Sequence, residues 1–326
     1  MMQKFEYASP SSVESAVSLL GPDAVVLAGG TDLLSLMKNR VVTPSRVVSL
    51  KKIADMRGIS AAESGELRIG PLTTIEELLG NRTIREQFPC LWQAADGIRS
   101  PQIQAVGTVG GDLCQRPRCW YYRNGFGLLA MQDGKSMVVE GDNRYHAILG
   151  NDGPAYFLNP SSLAPALIAL GATLRIVGPS GERTSPVGEF FRTPAAEGEK
   201  EYNLADNEIL VEIMVPNPAP ASSTYEIREK EALDWPLAAS AAVLEMSGET
   251  VQSARLVLGH VAPTPWAVEQ AGASLAGKAV SEETAAAAAV LAVQGARALS
   301  RNSYKIRLAE VAAKRAILRA AGMEVA

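Results

Sequence analysis

Two glycine-rich segments, the first of them beside a predicted helix, constrain the fold of this chain most. The first, AGGTD at 28–32, joins an apolar strand predicted at 24–28 to a helical pattern at 32–39. The second, GTVGGD, occupies 107–112. Glycine has no Cβ, so a ligand can approach its backbone, and amides at the start of a helix attract phosphate. The pair suggests a pyrophosphate cradle, although either segment alone is more often an ordinary tight turn.

The better-known phosphate-binding patterns are missing. No G-x-G-x-x-G motif follows a predicted strand, as a Rossmann fold requires. Gly134-Lys135-Ser136 is preceded by Leu129 where a P-loop needs its first glycine. Both of these nucleotide-binding classes are therefore excluded.

Length and charge limit the classes of partner. At roughly 150 residues per domain, the 326 residues predict about two domains. The formal net charge of -4 argues against a nucleic-acid partner, which would need clustered Lys and Arg. The longest apolar run, 285–293, is shorter than the ~20 residues of a membrane span. Residues 2–12 lack the apolar block of a secretory leader, so we expect no membrane insertion and no export on a signal of the chain itself.

Cysteine and histidine are scarce. The chain has 3 cysteines and 2 histidines, whereas a closed zinc site or a four-thiolate cluster needs four ligands. Three cysteines make no disulfide framework and fit a reducing compartment. We therefore expect a cytoplasmic protein without a metal site of its own. The residues concerned are Cys90, Cys114, Cys119, His146 and His260.

The element pattern changes along the chain. Short strands and helices alternate at first, and residues 105–162 are rich in Gly, Asp, Asn and Pro, which predicts a long, functional loop. The proline-rich stretch 216–222 is the best candidate for a linker. Beyond it the patterns predict three strands and then three helices, an α+β order. These strands are predicted at 223–229, 237–246 and 251–260, and the helices at 266–276, 281–298 and 304–321.

Five separated stretches carry a resemblance to a known family. They are AGGTDLL at 28–34, SPQIQAVGTVGGDLCQRPRCWYYRNGF at 100–126, NPSSLAPALIALGA at 159–172, NEILVEIMVP at 207–216 and YEIREKEALDWPLAASAAV at 225–243. The chain resembles the FAD-binding medium subunit of the molybdenum hydroxylases, or xanthine dehydrogenase family. That family includes the flavin subunits of carbon monoxide dehydrogenase and 4-hydroxybenzoyl-CoA reductase.

The resemblance implies an α+β fold with two domains. A two-subdomain FAD-binding domain of the PCMH type would span 1–216, with subdomains at about 1–55 and 56–216 and a long loop at 112–158. An α+β C-terminal domain of the carbon monoxide dehydrogenase flavoprotein type, a three-stranded sheet with helices, would span 223–326.

The resemblance also assigns the FAD-binding residues. The FAD diphosphate would be wrapped by Val26, Leu27, Ala28, Gly29, Gly30, Thr31, Asp32 and Leu33. The second half of the cradle would be Thr108, Val109, Gly110, Gly111 and Asp112. Ser162 and Leu210 match further flavin contacts, although Leu210 fits an ordinary core position of a strand equally well.

Two of these positions depart from the family pattern. The family has Asn at position 112, and a carboxylate there would repel a diphosphate unless it is turned away or meets a ribityl hydroxyl. The family has Asp at position 162, and Ser162 keeps hydrogen bonding but loses the charge.

The segment CQRPRCWYYR is similar to a branch of the family whose extra loop holds a [4Fe-4S] cluster. Of the four ligand positions, only Cys119 carries cysteine, and the others fall on Leu128, Ser136 and Ala155. We therefore predict that the loop persists without an intact cluster. Cys114, His146 and His260 are interpreted as packing or hydrogen-bonding residues.

The function implied is electron transfer. In the family, a molybdenum-cofactor large subunit acts on the substrate, a small subunit carries two [2Fe-2S] clusters, and the FAD exchanges electrons with an external acceptor. Arg228, Lys230 and Trp235 match a charged and aromatic segment near the flavin, although alternating charges are more often a solvated strand edge. No catalytic acid, base or nucleophile is predicted.

Several alternatives remain open from the sequence. One is a self-sufficient FAD-dependent oxidase or reductase of the same superfamily, and another is a scaffold that has lost its flavin. The complex could be a heterotrimer or a dimer of heterotrimers, and it could be periplasmic if exported with a partner. The sequence names neither the organic substrate nor the acceptor, for which NAD, a ferredoxin, a quinone and oxygen all remain.

Overall fold

The structure is a computed structural model that describes residues 2–230 and 233–325. Its strands are β1 (Glu6–Ala8), β2 (Ala24–Leu27), β3 (Arg46–Ser49), β4 (Ile59–Ala61), β5 (Leu67–Ile69), β6 (Met131–Gln132), β7 (Lys135–Ser136), β8 (Thr173–Gly178), β9 (Gly181–Pro186), β10 (Ile209–Val215), β11 (Ser222–Ile227), β12 (Ala238–Ser247), β13 (Thr250–Gly259) and β14 (Trp266–Ala267). Its helices are α1 (Val13–Ser18), α2 (Leu33–Lys38), α3 (Ile75–Leu79), α4 (Arg82–Gln87), α5 (Pro89–Asp96), α6 (Pro101–Val106), α7 (Val109–Leu113), α8 (Trp120–Arg123), α9 (Met137–Glu140), α10 (Ala164–Ala169), α11 (Val187–Phe190), α12 (Glu269–Ala273), α13 (Glu282–Ala292) and α14 (Tyr304–Ala320), with a 3-10 turn at Ala54–Met56.

The N-terminal sheet is small and parallel. Its order is β1-β3-β2, and the register pairs Tyr7 with Val47 and Val25 with Val47. Helix α1 covers it through the buried Ala16. Because parallel strands share one direction, β2 delivers the first glycine-rich segment at its carboxyl end, where α2 begins.

The central sheet is antiparallel, in the order β4-β5-β10-β8-β9. Strand β10 contributes side chains to two hydrophobic cores. Ile209 and Val211 pack with the N-terminal sheet, and Leu210 and Ile213 pack with helices on the other face of the strand. A register shift between Leu210 and Glu212, in the pairing with β8, interrupts the alternation of side chains between the two faces of the strand.

The C-terminal sheet has the order β11-β12-β13-β14. Three long strands agree with the prediction, and a short fourth strand forms where a helix was predicted from residue 266. Trp266 pairs with Leu258 there, so α12 starts only at Glu269. Helix α13 ends at Ala292, earlier than predicted, just ahead of the left-handed Gly295.

The long segment 112–158 contains α8, α9 and the two-stranded ribbon β6-β7 rather than loop alone. It is held by an apolar cluster that it shares with α2 through Leu36. Among residues 2–230 and 233–325, no helix is both long and apolar enough to cross a membrane. The mixed helix and strand architecture confirms the predicted α+β fold class.

Candidate functional site

Both glycine-rich segments line one cleft of about 350 Å³. The first lies between β2 and α2, and the second follows α6 and forms the start of α7. The predicted site residues on its wall are Val26, Ala28, Gly29, Gly30, Thr31, Asp32, Leu33, Thr108, Gly110, Gly111 and Leu210. The predicted residues outside this lining are Leu27, Val109, Asp112 and Ser162.

The two segments touch at Gly29. A Cβ on Gly29 would lie 1.9 Å from the carbonyl oxygen of Val106, at the end of α6. Gly30 has a φ of 85°, a left-handed conformation that favours glycine. The double glycine is therefore required both for the close approach and for the turn into α2.

The two segments differ in their free hydrogen-bond donors. Within the described chain, no hydrogen bond uses the backbone N–H of Gly29, Gly30 or Thr31. The second segment is already bonded: Gly110 donates to the Pro71 carbonyl at 2.8 Å, and Gly111 donates to Thr108 Oγ1 at 3.1 Å. The first segment thus offers open amides, while the second offers room for a ligand because Gly110 and Gly111 have no side chains.

The carboxylate of Asp32 is engaged by the start of the long segment. It accepts from the Arg116 amide at 2.8 Å and from Arg123 Nη2 at 2.8 Å, and it pairs with Arg118 Nη1 at 3.2 Å. Two guanidinium groups therefore compensate a negative charge that would otherwise repel an anion in the cleft.

Asp112 is turned away from the cleft. Its carboxylate is buried and accepts from the Leu163 amide at 3.0 Å, from the Ser162 amide at 3.3 Å and from Gln115 Nε2 at 2.9 Å, as well as from the Ser161 hydroxyl. Burial raises the pKa of this carboxyl group, and the Ser161 hydrogen bond opposes the rise. The carboxylate therefore joins the second glycine-rich segment to the start of α10, and Ser162 contributes its backbone to the same network.

Several lining residues lay outside the sequence prediction. Arg116 pairs with the buried Glu201, and Lys200 pairs with Asp206, so two cations line the cleft, each with an acidic partner. In the sequence, Arg116 and Arg118 form only a small basic cluster, which does not by itself indicate a site.

Trp235 and Lys230 lie elsewhere, on a second cavity. Arg228 is buried beside Glu226, and its guanidinium also donates to the Gly97 carbonyl. None of the three lines the cleft.

The four positions matched to a cluster do not form a thiolate site. Leu128 and Ala155 are buried in the apolar cluster with Tyr122, and the Cys119 side chain packs against it. Cys119 Sγ lies 3.2 Å from His146 Nε2. Across the part of the chain that the structure describes, no group of three or more His, Cys, Asp or Glu is arranged to hold a metal ion. The donor set therefore does not fit a four-thiolate iron–sulfur cluster.

A scan against family models matches residues 3–218 to the FAD binding domain in molybdopterin dehydrogenase. This chain belongs to that family. Residues 223–320 match the carbon monoxide dehydrogenase flavoprotein C-terminal domain. The resemblance to FAD-binding medium subunits of molybdenum hydroxylases is thereby confirmed.

Curated relatives and solved structures agree with this family. The carbon monoxide dehydrogenase medium chain of Hydrogenophaga pseudoflava is 33% identical over 294 residues, 89% of this chain and 86% of the relative. The aldehyde oxidoreductase FAD-binding subunit PaoB of Escherichia coli K12 is 30% identical, over 78% and 80% of the two chains. A solved structure of carbon monoxide dehydrogenase from H. pseudoflava superimposes with a TM-score of 0.75 at 32% identity, covering 99% of this chain and 98% of that one. Members of the family are oxidoreductase components of multi-subunit complexes.

Proposed function

We propose that this molybdopterin dehydrogenase flavoprotein passes electrons between the [2Fe-2S] clusters of a partner subunit and an external acceptor. One observation carries the proposal: three residues whose backbone amides make no hydrogen bond in the described structure line a glycine-rich cleft within the FAD-binding family domain. FAD, when bound, supplies redox chemistry that accepts electrons one or two at a time.

The residues of the cleft would bind and orient the cofactor. The amides of Gly29, Gly30 and Thr31 would donate to its diphosphate, and Arg116 would add positive charge. Apolar walls would come from Val26, Ala28, Leu33 and Leu210, while Thr108, Gly110 and Gly111 would leave room opposite. Leu27, Val109, Asp112 and Ser162 would support this wall from behind.

No proton-transfer residue is assigned to the cleft. The carboxylates on its wall are already paired: Asp32 with arginines, Asp206 with Lys200 and Glu208 with Arg183. Paired carboxylates are poor general bases because their charge is already stabilised. The chemistry on the organic substrate would therefore belong to another subunit.

The proposed partners are a molybdopterin-binding large subunit and a [2Fe-2S] small subunit, in a heterotrimer or a dimer of heterotrimers. The name "medium chain" of the carbon monoxide dehydrogenase relative supports a multi-subunit assembly. The layout of a FAD-binding domain at 1–216 and a C-terminal domain at 223–326 stays a proposal. A cytoplasmic location is also proposed, since all three cysteines are free.

The test is co-expression with the candidate large and small subunits. We expect a complex containing molybdenum and [2Fe-2S] iron, in which substrate reduces the flavin of this chain only when both partners are present. Turnover of an organic substrate by this chain alone, without molybdenum or iron, would instead establish the self-sufficient oxidase.

A further inference from the structure

Arg116 lines the cleft with two of its nitrogen atoms unused. Its guanidinium group carries five N–H donors in a fixed plane. The Nε–H donates to Glu201 Oε1, but no hydrogen bond or ion pair among the described residues uses Nη1 or Nη2. The side chain is 22% exposed, so these two nitrogens keep their donors for a ligand that enters the cleft.

The rest of Arg116 is held in place. Its amide donates to the Asp32 carboxylate at 2.8 Å, and its carbonyl accepts from Arg123 Nη2 at 2.8 Å. The guanidinium carbon lies 5.3 Å from the ring centroid of Tyr122, a cation–π distance. Because the backbone and one face of the group are already fixed, little conformational entropy is lost when a ligand binds this side chain.

Glu201 sets the direction of the guanidinium group. The Glu201 side chain is only 2% exposed, and Arg116 is its sole ion-pair partner in residues 2–230 and 233–325. Its second oxygen, Oε2, is buried and has no hydrogen-bond partner in those residues. A buried carboxylate that lost its one cation would be left uncompensated, so the ion pair stays closed.

Glu201 itself does not belong to the wall of the cleft. Its neighbours Lys200 and Tyr202 line the cleft, and Glu201 does not. Lys200 pairs with Asp206, but both of these side chains are at least one-third exposed, and exposed pairs are weakly held. Arg116 is therefore the lining cation whose direction the fold fixes, and we expect Glu201 to act on a bound ligand through it.

The free nitrogens of Arg116 suit one part of FAD. Two N–H donors in one plane match two oxygens of a phosphate, a bidentate geometry that lysine cannot provide. The diphosphate is the anionic part of FAD, whereas its riboflavin and adenosine parts carry no charge. The unbonded amides of Gly29, Gly30 and Thr31 belong to residues that line the same cleft.

We propose that Glu201 is a positioning residue, which holds the Arg116 guanidinium group so that Nη1 and Nη2 meet the diphosphate of FAD. This inference rests on the proposed function, since it takes FAD as the cofactor of the cleft. The ion pair is neutral as a whole, so Glu201 contributes the direction of the donors and not net charge.

Titration of the full-length, flavin-free chain with three ligands tests the role of Glu201. FAD has both parts, ADP has the diphosphate without the flavin ring, and riboflavin has the ring without a phosphate. Glu201→Gln keeps an oxygen for Nε but loses the charge that holds it, so FAD and ADP should bind about fivefold more weakly. Riboflavin binding should stay unchanged.

Glu199→Gln is the matched control for this substitution. Glu199 lies two residues away and pairs with Arg192, through side chains that are both more than one-third exposed. The affinities for all three ligands should be the same in Glu199→Gln as in the wild type.

A double-mutant cycle separates positioning from a general loss of structure. Arg116→Lys keeps a charge but removes the paired donors, and should weaken ADP binding about tenfold. Adding Glu201→Gln to Arg116→Lys should then weaken ADP binding by less than about twofold. If Glu201→Gln fails to fold, Glu201→Asp replaces it in both measurements, because it keeps the charge but shortens the reach to Nε.

The inference is overturned if ADP does not compete with FAD for the wild-type chain, or if riboflavin binding falls as much as ADP binding. It is also overturned if Glu201→Gln binds ADP as tightly as the wild type or more tightly, since the carboxylate then only repels the diphosphate. Additive effects of the two substitutions would overturn it as well. A wild-type chain that binds no FAD would contradict the proposed function, whereas FAD binding that neither variant alters would contradict this inference alone.

Discussion

At Gly29 the two glycine-rich segments come closer than a residue with a side chain allows. The sequence identified this glycine and its partner segment, because the absence of Cβ can be read from the residue type. The sequence could not show that only the first segment keeps its amides open, since that depends on the carbonyl of Pro71 and the hydroxyl of Thr108. Likewise, the sequence could not show whether the Asp112 carboxylate would repel a diphosphate. In the structure this carboxylate is bonded to the backbone at the start of α10.

We expect Gly29→Ala to abolish or strongly weaken FAD binding. The new Cβ would meet the Val106 carbonyl at 1.9 Å, so the segments must separate, at a cost of about 1–3 kcal/mol in unfolding free energy. Thermal unfolding and FAD titration measure both effects. Gly21→Ala is the control, because a Cβ there meets nothing within 4 Å. Equal affinity of Gly29→Ala and wild type for FAD would contradict the role of this contact.

The lowered pKa of the buried Lys305 predicts that the stability of the fold depends on pH. Its pKa is about 7 in the folded chain against an ordinary 10.5, so the unfolded chain binds more protons between these values. Stability should therefore rise with pH, by up to about 1.4 kcal/mol per unit from about pH 7 to about pH 9, relative to Lys305→Met. The imidazoles of His146 and His260, with pKa values of about 4 and 3, stay neutral in this window. Parallel denaturation curves for the two proteins across the window would contradict this pKa.

At the scale of elements, the long segment 112–158 shows where prediction from sequence stops. Its composition predicted a loop, and matching to the family predicted the loss of a cluster. The contacts that hold it were not visible in the sequence. Leu128 and Ala155 join Leu36 of α2 in an apolar cluster. Asp32 accepts from the Arg116 backbone amide and pairs with the guanidinium groups of Arg118 and Arg123. Contacts of this kind, between distant parts of the chain, leave no local pattern in the sequence.

Asp32→Asn is expected to loosen the start of this segment. Removing the charge weakens hydrogen bonds to charged donors, each of which contributes about 1.5–3 kcal/mol. Hydrogen exchange over 115–123 should become several-fold faster. Asp142→Asn, which removes the charged partner of Arg144 elsewhere in the same segment, should leave this region unchanged. Equal exchange in the two variants would refute the anchoring role of Asp32.

The purified chain should contain neither iron nor acid-labile sulfide after anaerobic reconstitution. Only Cys119 offers a thiol among the matched positions, and two of the others are buried apolar residues. Elemental analysis measures this directly. Stoichiometric iron with sulfide would show that the segment retains a cluster.

At the scale of the whole molecule, the parts matched by the two family models share a core. Ala241, Val243 and Val257 of the C-terminal sheet are buried in the same cluster as Leu91 of α5 and Leu167 of α10. Hydrogen bonds continue the contact, since Thr224 donates to the Cys90 carbonyl at 2.8 Å. The resemblance predicted the α+β class, and the sequence patterns predicted that three strands precede three helices in the C-terminal part. It did not predict this shared core or the fourth strand β14, which depend on packing between distant segments.

The central claim is that the cleft between the glycine-rich segments binds FAD. The most direct measurement is the visible spectrum and flavin content of the purified full-length chain after reconstitution with FAD and removal of free flavin. We predict flavin absorption bands and one FAD per chain. A correctly folded chain that retains no flavin would contradict the account.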